Sequence, residues 1–140
     1  RDLSRSRGLG DVYKRQTLAF NGVIMVLLGI VFWFFPELFT LAMFPNISDN
    51  EQAIDVGIAL RKNMGVGCIF IGMLLFWCQT SSKTTAQRLL FCSSFGFGLM
   101  VAGLLEVRLT GQANVPLPII LLFACMSIYS LFVATRRYQE

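Results

Sequence analysis

Arg61, Asn63 and Glu106 are the residues whose types could carry chemistry in this otherwise apolar chain. Arg61, Lys62 and Asn63 open one long hydrophobic run, and Glu106 closes the run that follows it in sequence. If these two runs are antiparallel neighbours, a guanidinium and a carboxylate reach the same depth, with the Asn63 amide beside them. An Arg61–Glu106 ion pair would lower the cost of holding either charge near lipid, because each supplies the other's partner. The same cluster could instead form the polar wall of a site for an apolar or cationic small molecule. The competing expectation is that Arg61, Lys62 and Arg108 snorkel to phosphate oxygens while Glu106 stays among headgroups. Asn21 is a second candidate, for which an interhelical hydrogen bond is the ordinary role.

Much other chemistry is excluded by residue type. The sequence has no histidine, which removes imidazole haem ligation, His-carboxylate metal sites and His-based general catalysis. Cys68, Cys78, Cys92 and Cys125 form no C-x-x-C pair and fall within or at the ends of apolar runs, where small packing residues are the expectation. Cys78 and Cys92 flank one connector, which the orientation given below puts in a reducing compartment. No glycine cluster precedes a Lys-Ser or Lys-Thr pair, so there is no phosphate loop. The reading is of a chain with no catalytic residues, no metal and no cofactor.

The elements that would hold these residues are membrane spans. With 55% of residues hydrophobic and only 14% charged, the uninterrupted apolar runs are too long for a water-soluble core. Four segments approach the ~20 apolar residues that a spanning helix needs. They are TLAFNGVIMVLLGIVFWFF (17–35), RKNMGVGCIFIGMLLFWC (61–78), LLFCSSFGFGLMVAGLLEV (89–107) and PLPIILLFACMSIYSLFVA (116–134). Continuous runs do not fit the alternation of a barrel, and only helices or barrels satisfy the backbone in lipid. The expected fold is all-α: an integral membrane four-helix bundle, up-down-up-down, with spans near 17–35, 59–79, 88–108 and 116–135. Polar connectors of hairpin length, QTSSKTTAQR and RLTGQANV, join neighbouring helices. PELFTLAMFP, bounded by two prolines, reads as a short interfacial helix between helices 1 and 2. Ser48 and Glu51 have capping-box spacing, which starts helix 2 near Asp49 and carries it to about Cys78. Asn46-Ile47-Ser48 matches a glycosylation sequon, but a tripeptide beside a proline is weak evidence of one.

Residues 1–16 stand apart. SRGLGDVYKRQ (6–16) resembles one translated frame of a transposase adaptor used in short-read sequencing, and Arg1 and Asp2 match the flanking primer. The segment is read as a non-native, disordered tail, and residues 17–140 as the single native domain, lacking its true start. Arg1, Arg5, Arg7, Lys14 and Arg15, against Asp2 and Asp11, supply most of the formal net charge of +4. The rest is nearly neutral, so nucleic acid is not an expected partner. Lys83, Arg88, Arg136 and Arg137 mark one side of the membrane, and Arg61, Lys62 and Arg108 the other. By the positive-inside rule both termini are cytoplasmic, with Trp33 opposite Trp77 and Tyr138 in the interfacial belts.

Small residues then mark the packing faces, since lipid gives apolar helices no hydrophobic reason to associate. Gly22 and Gly29 lie on helix 1, Gly65, Cys68 and Gly72 on helix 2, and Ser130 and Ala134 on helix 4. Helix 3 carries Ser94, Gly98 and Ala102, and also Gly96 with Gly103. These faces are expected to meet inside one bundle; any face turned outward would be a dimerisation seam.

FFPELFTLAMFP followed by ALRKNMGVGCIFIGMLLF resembles small bacterial four-transmembrane proteins of unknown function, in Pro36, Arg61, Gly65 and Gly72. The resemblance implies the fold and a bacterial inner membrane, and brings no activity or catalytic residue. Small multidrug transporters are also four-helix chains, but rely on a glutamate in their first helix, and no acid stands between Thr17 and Glu37. Two expectations follow. The first is a non-catalytic accessory or scaffold module whose partners are the bilayer and other membrane proteins or a second copy. The second is a small binder or transporter with a polar site near Arg61 and Glu106.

Overall fold

A computed structural model describes residues 2–135, with side-chain surroundings from Val12 onward except at Lys83. Five helices follow one another: α1 (Asp2–Phe34), α2 (Pro36–Met43), α3 (Glu51–Trp77), α4 (Lys83–Leu109) and α5 (Leu117–Thr135). Four of them, all but α2, are long and apolar enough to cross a membrane. Their outward faces are hydrophobic, with Phe70 63%, Leu99 73% and Ile128 69% exposed. Water-soluble chains rarely leave such continuous apolar surface uncovered, whereas lipid covers it at no cost.

The helices pair as α1 with α3 and α4 with α5, and the two pairs meet chiefly through α1. On α3 the buried residues Arg61, Gly65, Cys68, Gly72 and Leu75 recur at alternating steps of four and three, which is one stripe of a helix. This stripe meets the glycines of α1. A Cβ on Gly22 would lie 2.7 Å from the carbonyl oxygen of Gly72, and one on Gly72 would lie 2.6 Å from that of Gly22. Side chains are absent where the backbones touch, as close helix contact in lipid requires.

Polar contacts hold the second pair. Ser94 Oγ donates to the carbonyl of Ser127 and Ser127 Oγ to that of Ser94, each at 2.8 Å. Gln87 Nε2 donates to the Ala134 carbonyl at 3.0 Å, while its Oε1 accepts from Lys14 Nζ at 3.1 Å, so one amide joins three helices. These pairings run antiparallel within each pair and give the up-down-up-down order.

Three local expectations need correction. The cap of α3 is Asn50, in extended conformation, whose side chain accepts from Ala53 N. Ser48 has helical angles at the end of a 3-10 turn, Pro45–Ile47, and cannot cap. The segment expected to be disordered, 1–16, is helical from Asp2, because extending a helix already nucleated by a span costs little per residue. Helices 2 and 3 of the sequence reading, α3 and α4, are not packed neighbours in spite of their short connector. Arg136, Arg137 and Tyr138, used for orientation, lie outside the described residues.

The short helix α2 lies against α3, burying Thr40 and Met43, while Leu38 stays 64% exposed. The loop after α4 docks on its end: Asn114 N donates to the Met43 carbonyl at 2.7 Å, and Arg108 Nη1 donates to the Val115 carbonyl. Met43, Ala113, Val115 and Ile120 form a small apolar cluster there.

Candidate functional site

Arg61 does not meet Glu106. Its place on the packing stripe of α3 turns the side chain inward under α2, where it is 8% exposed. There the guanidinium donates to the thioether sulfurs of Met43 and Met64 and stands 5.7 Å from the centroid of the Phe32 ring. Sulfur lone pairs and an aromatic face are weak acceptors, and together they hold a cation with no carboxylate among its contacts. Asn63 points away from this stripe and is exposed. Glu106 is exposed on α4, a helix that α3 scarcely touches. The three residues therefore share one end of the bundle without forming a cluster.

Asn21 is the candidate that the fold engages. It and Ser130 are both fully buried, and Asn21 Nδ2 donates to Ser130 Oγ at 2.7 Å, tying α1 to α5. Thr17, one turn before Asn21, is also buried, and its hydroxyl donates back to the Tyr13 carbonyl. The sequence reading named Asn21 and Ser130 separately; nothing in their spacing, 109 residues apart, pairs them.

The outer face of α4 is the other organised feature. Cys92, Gly96, Leu99, Gly103 and Glu106 are all exposed and recur at steps of four, three, four and three. A Cβ added at Gly96 or Gly103 would find nothing within 4 Å, whereas one at Gly98 would lie 3.4 Å from Ser127 Oγ. Helix α4 thus divides its small residues: Ser94 and Gly98 face α5, and Gly96, Ala102 and Gly103 face outward.

The four cysteines are free thiols. Only Cys68 is buried; Cys92 and Cys125 lie exposed on outer faces, so packing does not account for them as expected. Among the described residues no group of three His, Cys, Asp or Glu side chains is placed to share a metal ion.

No family model, no curated protein and no solved structure matches this chain.

Proposed function

We propose that this chain is a non-catalytic accessory module of a bacterial inner membrane, with both termini in the cytoplasm. It packs sideways against another membrane protein, or a second copy of itself, through the outer face of α4. The supporting observation is the pair Gly96 and Gly103, which lie seven residues apart on an exposed stripe and have no neighbour within 4 Å. Glycine lowers helix stability, so two on an open face are best explained by a partner backbone that comes close there. Their heptad spacing suits a left-handed helix pair. A binding or transport role centred on Arg61 and Glu106 has less to support it, since the two do not line a common space.

Cys92 lies on the same stripe and serves as the probe. Copper-phenanthroline oxidation of membranes is expected to trap Cys92 in a disulfide-linked dimer or heteromer that Cys92→Ser abolishes. Gly96→Leu and Gly103→Leu should weaken the same product without lowering the melting temperature of the purified chain. A single subunit in lipid nanodiscs, with no Cys92-dependent product in membranes, would refute the reading.

A further inference from the structure

One end of the Asn21 carboxamide is not accounted for by the bundle. Nδ2 is bonded to Ser130, but Oδ1 is buried with no hydrogen-bond partner. Turning the amide over exchanges which end is bonded and still leaves one orphaned. Buried acceptors left unpaired are costly, and native structures hold few of them.

Asn21 also lines a groove between α1 and α5 with a volume of about 650 Å³. One end of the groove is polar, with Tyr13 and Thr17 on α1 and Tyr129 on α5. The other end is apolar, with Ile24, Leu122 and Met126. Asn21 stands between them. Among the described residues no Asp, Glu, Lys or Arg lines the groove. Phe20 and Tyr129 at its edges are 57% and 46% exposed, so it opens sideways, where the bilayer lies.

We propose that this groove binds an uncharged amphiphile taken from the bilayer. Its hydroxyl or amide head donates to Asn21 Oδ1, between the two ends, and its hydrocarbon tail runs along Ile24 and Leu122. A charged head would be stranded against an uncharged wall, and a plain hydrocarbon would leave the acceptor unpaired. From Asn21 to Ile24 the groove covers roughly 4.5 Å of helix axis, so most of a longer tail continues into the bilayer. Thr17 and Asn21 lie beyond the adaptor-like segment, whereas Tyr13 and Gln16, which also line the groove, lie within it. The site lies between α1 and α5, where the two helix pairs meet, and is independent of the lateral role of α4.

Two native thiols make the test. Cys125 is exposed and lines the groove, and Cys92 is exposed on α4, away from it. Alkylation of both by N-ethylmaleimide is followed by mass spectrometry on the full chain in phosphatidylcholine nanodiscs. At ten times its half-saturating level, 1-dodecanol is expected to slow Cys125 about tenfold, as the unoccupied fraction falls with 1 + [L]/Kd. Cys92 keeps its rate. Dodecane and dodecyltrimethylammonium at the same mole fraction leave Cys125 unchanged, and Asn21→Leu removes the effect of dodecanol. Protection by either control that equals that by dodecanol, or no protection by dodecanol, overturns the proposal. The comparison of the three compounds on the unsubstituted chain decides the matter even if Asn21→Leu does not fold.

Discussion

Gly29 and Gly65 face each other across the α1–α3 seam so closely that neither could carry a side chain. A Cβ on Gly29 would lie 2.5 Å from the Gly65 carbonyl oxygen, and one on Gly65 would lie 2.8 Å from that of Gly29. With Gly22 and Gly72 one heptad away, two glycine pairs fix how near the helices come. The nearest obstructing atom in each case is a backbone oxygen, which cannot rotate aside.

Gly29→Ala or Gly65→Ala should therefore push the helices apart and cost about 1–3 kcal/mol, the range of an overpacked interior. Gly67→Ala, where nothing lies within 4 Å, should be neutral or stabilising by up to ~1 kcal/mol from helix propensity. Unfolding in mixed micelles measures both. Equal losses at Gly65 and Gly67 would contradict the seam.

The Asn21–Ser130 bond predicts coupling between α1 and α5. A double-mutant cycle with Asn21→Ala and Ser130→Ala should give an interaction energy of ~0.6–1.7 kcal/mol, the range found for hydrogen bonds between membrane helices. Additive losses would mean the two residues act separately.

Arg61 and Glu106 should behave as strangers. Glu106→Gln is expected to shift stability by no more than ~0.5 kcal/mol, as exposed substitutions do. The swap Arg61→Glu with Glu106→Arg should show no rescue, its two effects adding within ~0.5 kcal/mol. Arg61→Met, which exchanges a buried cation for an apolar chain among Met43, Met64 and Phe32, should be neutral or stabilising. Thermal unfolding of the five variants, the double swap included, checks this.

At the start of α3, Asn50→Ala should cost about 1 kcal/mol through loss of the cap on Ala53 N. Ser48→Ala should change stability by less than ~0.5 kcal/mol. Helix content and melting of the two variants distinguish a cap at Asn50 from one at Ser48.

The spans and the glycine seam were legible in the sequence because both rest on local patterns: apolar length in one case, small residues at heptad spacing in the other. Gly22, Gly29, Gly65 and Gly72 could be assigned to packing faces before any partner was known. The pairing of helices could not. A short connector suggested that α3 and α4 lie side by side, but the packing stripe of α3 is taken by α1, and its other faces meet α2 or are left to lipid. That single difference removes the Arg61–Glu106 pair. The Asn21–Ser130 bond escaped for a related reason, since it joins the first and last spans and leaves no mark in local spacing. Asn50 and Ser48 are both good caps by type, and only backbone geometry chooses between them.

Among the described helices, α1 is the one packed against every other. In chain order its partners follow it, α3 after α2 and a loop, and α5 only after α4. Once α3 has joined it, α1 must keep a second face open in lipid while α4 and α5 close on each other as a hairpin. Assembly then finishes with two preformed halves docking along a helix already in place.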